Sequence, residues 1–339
     1  MKAVILAAGK GTRMTGLCDE LPKPLLPVVN RPILAHTIAQ LESAGVDDAL
    51  VVIGHQAQMM RSVLGDRRGN VRLHYIEQTD PKGTGQAAAL AETFVDGEPF
   101  IMLFGDIVTS RHEVPEIVEV YTEEKPAAIL SVRYFRDPAS GGAVYLEGNR
   151  VDRIVERPKR GAPKTHYINA GIFVFPPQIF DLLRQVDLSP RGEYELTDAI
   201  RMLLDAGQVV RAFDLRRFWV NVTDPTAYLE AQRELFGEWE WQIPDVPADV
   251  AIRQPAILGH GAQARKGAQI GPNVGIGDLC TIGAGAHVHD AIIMTGAEIG
   301  DGAIVEHAVV GMGTRLEHGA RLVGDPEGKA AVAHHGNRV

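Results

Sequence analysis

Only two cysteines, Cys18 and Cys280, occur in 339 residues. They lie far apart and fall in no metal-ligand spacing. A disulfide framework is therefore not expected, and a reducing compartment fits. No excess of positive charge is present: 34 Lys and Arg stand against 43 Asp and Glu, a net charge of −9. That balance argues against broad binding to nucleic acid or to an anionic membrane. It leaves room for a local basic pocket around a phosphorylated ligand. No apolar run reaches the 18 residues of a spanning helix. The apolar run at 3–8 is shorter than the core of a secretory signal, and glycines and charges follow it. A cytoplasmic protein is expected, without nucleic-acid or membrane partners.

What is present is ordinary for a globular protein, with 45% apolar and 23% charged residues. At roughly 150 residues per domain, two domains are expected. Over residues 1–235, strand-like and helix-like segments alternate. "AVILAA" (3–8), "DALVVIG" (48–54), "VRLHYIEQ" (71–78), "PFIMLFGD" (99–106) and "AAILSVRYF" (127–135) are predicted strands. Helices are predicted over 32–45, from Pro32 to Gly45, over 85–95 and over 112–124. This alternation predicts an open, mostly parallel sheet with helices on both faces. Ligands in such sheets sit beyond the carboxyl ends of the strands.

Near 240–250 a proline-bearing linker is expected. Beyond it, apolar or small residues recur every sixth position: Ile252, Leu258, Ala264, Ile270, Ile276, Ile282 and Val288. A second phase holds Ile293 and Ile299; a third holds Ile304, Val310, Leu316 and Leu322. No helix has this period. Hexads of one short strand and a turn do, stacked three to a coil in a β-solenoid. The expected organisation is 1–240, then 250–323, then a flexible tail over 324–339.

Four stretches could carry chemistry. "LAAGKGTRM" (6–14) lacks the third glycine of the dinucleotide fingerprint and the Gly-Lys-Ser/Thr of a P-loop. Gly9 and Gly11 still permit close backbone approach, and Arg13 offers a planar fork for phosphate oxygens. A plain strand-to-helix turn fits equally well. Lys23 stands between two prolines, which could fix its ammonium or merely stiffen a surface loop. Gln78 can present a donor and an acceptor to a base edge, and Gly83 and Gly85 could let backbone approach a ring; a loop leading into a helix is the alternative. Asp106 at a strand end could hold a hard cation or cap a helix.

Taken together, these stretches resemble the sugar-1-phosphate nucleotidylyltransferases. "LAAGKGTRM", "LPKPLLPVVNRP", "EQTDPKGTGQAA", "FGD", "VERP", "YINAGIFVF", "RGEYELTD" and "WVNVTDP" follow in that family's order over nearly all of 1–235. The resemblance implies an α/β fold: a Rossmann-like, mostly parallel sheet nucleotidyltransferase domain followed by a short left-handed β-helix. It implies that a sugar-1-phosphate oxygen attacks the α-phosphorus of a nucleoside triphosphate and displaces pyrophosphate. On that reading Arg13 and Lys23 are catalytic, gripping the β,γ-phosphates and the α-phosphate respectively. Leu6, Ala8, Gly9, Gly11, Gln78, Gly83 and Thr84 border the nucleotide. Gly142, Glu156, Arg157 and Asn169 meet the sugar phosphate. Asp106 and Asn221 hold Mg²⁺, with Asp224 a rival ligand. Where this chain has Arg157 the family often has lysine, so Lys159 is a second candidate for the phosphate contact.

"LAAG" and "GTGQAA" resemble the pyrimidine-nucleotide branch, so UTP or dTTP is favoured. "GEYELTD" and "INAGIF" lean toward uridylyl members acting on N-acetylhexosamine-like sugars. Two alternatives belong to other classes. One is a bifunctional enzyme whose β-helix also transfers an acyl group through a histidine, with His260, His287, His289, His307 and His318 available, although a solvated turn is the commoner place for each. The other is a regulatory subunit, against which the presence of Arg13, Lys23 and Asp106 argues. A homo-oligomer is expected from the solenoid's exposed ends.

Overall fold

The computed structural model describes residues 1–9, 11–14, 16–159, 161, 164–238 and 246–339. They form two compact units: Met1–Lys10 with Leu34–Trp219, and Gly11–Ile33 with Val220–Val339. No helix among the described residues is long and apolar enough to cross a membrane.

In the first unit ten strands form one sheet. They are β1 (Lys2–Leu6), β2 (Asp48–Ile53), β3 (Arg67–Arg68), β4 (Val71–Glu77), β5 (Phe100–Phe104), β6 (Ala128–Tyr134), β7 (Gly142–Glu147), β8 (Arg150–Glu156), β9 (Tyr167–Phe175) and β10 (Val210–Asp214). Their spatial order is β7-β8-β10-β6-β9-β5-β1-β2-β4-β3. The run β5-β1-β2-β4 is parallel throughout, with Val4 beside Leu50 and Met102. Val4 and Ile5 point to opposite faces, and both are fully buried. A strand covered on both sides needs apolar side chains at successive positions, which is why "AVIL" does not alternate. The other half is mixed: β9 runs antiparallel to β5, β6 and β7, while β10 is parallel to β6.

Helices α1 (Ile33–Ser43), α2 (Ala57–Leu64), α3 (Thr84–Ala89), α4 (Glu92–Val95), α5 (Glu113–Glu124), α6 (Ile179–Leu183) and α7 (Leu196–Asp205) connect the strands. The helix predicted over 85–95 is two helices. The Ala91 N–H donates to the Ala88 carbonyl (3.0 Å), a tighter link than the α-helical one, and the chain turns there.

The second unit holds helix α8 (Pro225–Phe236) and three columns of short parallel strands. One column stacks 251–252, 269–270, 287–289, 304–306 and 321–323. The next stacks 256–258, 274–276, 291–293, 308–310 and 331–333. The last stacks 263–264, 281–282, 298–299 and 315–316. Register partners Ile270, Val288, Val305 and Leu322 stack one above another, one from each successive coil. The six-residue period shortens where one left-handed residue makes a corner, at Asp290 (φ +47°) and His307 (φ +47°). From Ile299 the step is a full six residues to Val305, which is fully buried, and the next short step falls at His307, so Ile304 is not the inward residue.

Two sequence expectations are corrected in this unit. Residues 324–339 are not a free tail. Ala331–Ala333 pairs with the strand at 308–310, and the Val339 N–H donates to the Arg315 carbonyl (3.0 Å). No hexad period marks this stretch because residues 324–330 separate the strand at 321–323 from that at 331–333 and break the spacing. Nor does the division fall only near 240. Gly11–Ile33 packs with the C-terminal strands: buried Tyr228 donates its hydroxyl to the Pro27 carbonyl (2.5 Å), and Asn30 donates its amide to Ile276 (2.6 Å). Part of the expected linker, 239–245, lies outside the described residues, while Val246 and Val250 pack on the C-terminal core.

His307 also departs from a solvated turn, being 2% exposed. Its Nδ1 lies 2.7 Å from Asp290, whose carboxylate is paired by Arg233 of α8 (2.5 and 2.6 Å). Burial alone would raise the Asp290 carboxyl, but hydrogen bonds and charge from Arg233 and His307 outweigh it and hold it below the usual range. The folded state therefore binds this proton less tightly than the unfolded one. Its contribution is complete above about pH 4 and is lost as pH falls through the lower folded value. Asp290→Asn should cost about 1.5–3 kcal/mol at pH 7. The gap from wild type should close in acid melts; a gap that widens on acidification would contradict this.

Candidate active site

Parallel strands bring their carboxyl ends to one edge, and four loops of the first unit leave that edge. β1 ends at Leu6, followed by Ala7, Ala8 and Gly9; β2 is followed by Gly54, β4 by Gln78, and β5 by Gly105 and Asp106. Backbone bonds tie the loops together: Ala7 N–H to Val52 O (2.8 Å), Gln78 N–H to Ile53 O (2.8 Å) and Gly105 N–H to Leu6 O (2.8 Å). Side chains are excluded at two crossings. A Cβ on Gly54 would lie 2.7 Å from the Ala8 carbonyl, and one on Gly105 would lie 2.9 Å from the Ala7 methyl. At Gly9 a Cβ would meet no atom within 4 Å, so the space over this glycine is open.

Gln78 is 7% exposed, and its amide donates to Gln86 Oε1 (2.8 Å) and the Gly83 carbonyl (3.2 Å). Gly83 has φ +104°, and a Cβ there would sit 2.5 Å from the Tyr194 carbonyl. The following turn is clamped to the stretch 194–196. Gly85 N–H donates to Tyr194 O (2.8 Å), Tyr194 N–H to Lys82 O (2.7 Å), and Leu196 N–H to Thr84 Oγ1 (3.1 Å). The Thr84 hydroxyl oxygen thus serves the clamp as an acceptor. Gly83→Ala should cost roughly 1–3 kcal/mol of stability. Gly9→Ala should leave the melting temperature unchanged. Equal losses of stability from the two would contradict this difference.

Gly142, Glu156 and Asn169 come together on neighbouring strands. A Cβ on Gly142 would lie 3.3 Å from Glu156 Oε2 and 3.5 Å from the Asn169 Cβ. Asn169 Oδ1 accepts the Gly171 N–H (2.9 Å), which fixes its amide plane. Burial pushes the Glu156 carboxyl up, the Glu195 carboxylate adds to the rise, and Arg191 and Arg157 oppose it. Arg157 is exposed at φ +38°, with Nε 3.7 Å from Glu156 Oε1; Lys159 is exposed as well.

In the second unit, Gly11 (φ +64°) opens a short turn over Thr12–Met14, in which the Met14 N–H donates to the Gly11 carbonyl (2.8 Å). Met14 is buried and Arg13 exposed, so the turn anchors by its methionine and presents its arginine. Lys23 is 8% exposed in a second short turn, Lys23–Leu25. Burial pushes the Cys18 thiol up to about 11 against the pull of the Lys23 charge, so it stays protonated. Asn221 carries a buried Oδ1 with no hydrogen-bond partner. Asp224 is not placed like a ligand: Oδ1 caps α8 through the Thr226 and Ala227 N–H groups (3.0 Å each), and Oδ2 accepts from Thr223 (3.0 Å).

Residues 2–237 match the family model described as nucleotidyl transferase. The chain belongs to the nucleotidyl transferase family. Residues 252–334 match a second model, described as the GMPPB C-terminal domain. The bifunctional protein GlmU of Methanocaldococcus jannaschii is 32% identical over 264 residues, covering 77% of this chain and 61% of the relative. The chain thus spans about three fifths of that relative's length. Mannose-1-phosphate guanylyltransferase 1 of Arabidopsis thaliana is 29% identical, covering 87% of this chain and 82% of the relative. Among solved structures, a Bacillus anthracis protein provisionally assigned as a glucose-1-phosphate thymidylyltransferase, in complex with sucrose, superposes with a TM-score of 0.65 at 26% identity. It covers 72% of this chain and 98% of that one.

Within this nucleotidyl transferase fold, three contributors were missed by residue-by-residue reading. Tyr194 holds the 83–85 turn through its backbone. Glu195 is 4% exposed and accepts from Arg191 (2.5 Å) and Ser189 (3.0 Å). Arg191 also stands 3.7 Å from Glu156. "RGEYELTD" was the available signal, but nothing in it says which of its side chains turn inward. A cavity of about 610 Å³ elsewhere in the first unit, bounded by Glu113, Asn149, Arg211 and Arg217, includes none of the predicted site residues.

Proposed function

We propose that this chain transfers a nucleoside monophosphate from a nucleoside triphosphate to a sugar-1-phosphate, giving a nucleotide sugar and pyrophosphate. The observation that carries the proposal is the edge of the parallel run. Ala8, Gly9, Gln78, Gly83 and Asp106 all stand there on loops tied by backbone hydrogen bonds.

The chemistry asks little of a general base. A phosphate monoester is largely dianionic near neutral pH, with its second pKa near 6. What remains is to bring two polyanions together and stabilise charge during in-line displacement. Arg13 grips the β- and γ-phosphates and favours the leaving pyrophosphate. Lys23 neutralises the α-phosphate as charge builds on it. Backbone at Leu6, Ala8, Gly9 and Gly11 borders the nucleotide, Gln78 and Gly83 read the base, and Thr84 stiffens their turn. Gly142, Glu156 and Asn169 receive the sugar, and Arg157, with Lys159 close by in sequence, meets its phosphate.

The donor set suits Mg²⁺: Asp106 offers a partly exposed carboxylate, and the orphaned amide oxygen of Asn221 offers a hard neutral ligand. Among the described residues no group of three or more His, Cys, Asp or Glu could hold a metal ion. Mg²⁺ commonly completes such a sparse shell with substrate phosphates and water. When bound it would neutralise phosphate charge.

UTP or dTTP is the favoured donor, from "LAAG" and "GTGQAA". GTP is the second reading, favoured by the similarity to mannose-1-phosphate guanylyltransferase 1 of Arabidopsis thaliana. The stacked parallel strands, read as a left-handed β-helix, serve assembly of a homo-oligomer in the cytoplasm. A matrix of five nucleoside triphosphates against several sugar-1-phosphates with Mg²⁺, read by pyrophosphate release, tests the proposal. Release with one or a few pairs is expected. No release with any pair would overturn it.

A further inference from the structure

We infer that the C-terminal residues of this chain, through His335, position the segment that carries Arg13 and Lys23. This rests on the proposed function for its catalytic consequence, but its structural basis stands apart. His335 lies 318 residues from Leu17, yet its Nε2 donates to the Leu17 carbonyl (2.8 Å). On the other side of the ring, Nδ1 accepts the Met312 N–H (2.7 Å). One neutral imidazole, with its proton on Nε2, satisfies both bonds at once. The ring is therefore a rigid link between a coil of the solenoid and the loop at 11–33.

The coil end is held firmly. Buried Thr314 donates its hydroxyl to the His334 carbonyl (2.6 Å), and Gly336 N–H donates to Met312 O (2.9 Å). Two glycines make room for the histidine pair. A Cβ on Gly311 would sit 2.6 Å from the His335 nitrogen, and one on Gly16 would sit 1.9 Å from His334 Nδ1. These clearances lie on opposite sides, one in the coil and one in the loop, and both admit the same two residues.

The loop end leads directly to the phosphate-binding candidates. Leu17, whose carbonyl is held, is fully buried, and its N–H and that of Cys18 both donate to the Met14 carbonyl (3.0 Å each). Met14 closes the turn that presents Arg13. A shift of the Leu17 carbonyl therefore propagates through two hydrogen bonds to Arg13. A displacement of about 1 Å at a reacting group can cost about 100-fold in rate. His335 is a positioning residue on this account, since it acts through the turn.

Full-length wild type is compared with His335→Phe, which keeps the ring volume and loses both bonds, and with His335→Gln, which keeps one acceptor and one donor. A chain lacking 334–339 is the second disruption. Amide hydrogen exchange reads the loop without substrate. Faster exchange at residues 12–25 in His335→Phe, with the strands at 291–293 and 308–310 unchanged, is expected. Steady-state pyrophosphate release should show kcat/KM lowered about 10- to 100-fold in His335→Phe and within threefold of wild type in His335→Gln. Unchanged exchange at 12–25 would overturn the inference. So would equal loosening of the solenoid strands, which would make His335 a cap of the coil and nothing more. If wild type releases no pyrophosphate with any substrate pair, the functional reading fails, and the exchange result alone decides whether the link exists.

Discussion

Replacing Lys23 with alanine is expected to lower kcat by about 10²- to 10³-fold, the usual effect of removing one preorganised donor from a developing charge. The expectation rests on how the residue is held. Pro22 precedes it at φ −60°, and Pro24 follows within the same short turn. The Leu25 N–H donates to the Pro22 carbonyl (2.8 Å), and the Leu26 N–H to the Lys23 carbonyl (3.1 Å). The side chain is 8% exposed, so little of its freedom remains to be lost when a phosphate arrives. The loss should fall mainly on kcat, because charge builds on the α-phosphate only during displacement. Lys23→Arg should not restore the rate, since a planar fork does not replace a compact ammonium in a confined space. Steady-state pyrophosphate release with saturating nucleotide checks this. A kcat for Lys23→Ala within threefold of wild type would remove Lys23 from the chemistry.

Asp106→Asn is the second large effect. The residue follows Gly105, which crosses so close to Ala7 that only glycine fits, and that crossing fixes where the carboxylate emerges. Exchanging the carboxylate for an amide keeps the shape and removes one negative charge. With Asn221 already neutral, no charged ligand from the proposed pair would remain. We expect a loss of two to three powers of ten in kcat/KM, roughly 3–4 kcal/mol. The Mg²⁺ concentration for half-maximal activity should rise in parallel. Loss of activity at an unchanged Mg²⁺ requirement would assign Asp106 a role in orientation instead.

Much of this was legible because the physics is local. Residues 3–6 and 100–104 must be apolar on both faces, so β1 and β5 announce themselves as buried parallel strands, and the glycines that follow them mark the loops. The six-residue period marks the coils for the same reason, since each hexad buries one side chain. What was not legible depends on partners distant in sequence. The strand at 331–333 exists because 308–310 offers an open edge, and its own residues carry no period. Ile304 reads as the inward residue if the short step follows Ile299, but the corner lies at His307, so the step from Ile299 is a full six and Val305 turns inside. His307 reads as one of five turn histidines until Arg233 and Asp290 are seen beside it. Likewise Gly11–Ile33 is contiguous with β1 yet packs with α8 and the coils. In the candidate site, Gln78 and Gly83 were legible from residue type and spacing. The Glu195–Arg191 pair was not, because which side of a loop faces inward is set by the strands it meets.

The proposed reaction is attack of a sugar phosphate on the α-phosphorus, with pyrophosphate leaving. Its most direct measurement is the fate of label from the nucleotide, using the pair that reacts in the substrate matrix. With label at the α-phosphorus, the account predicts that it appears in the nucleotide sugar. With label at the γ-phosphorus, it appears in pyrophosphate. Label from the γ-position recovered on the sugar, or as free orthophosphate at the rate of turnover, would contradict it.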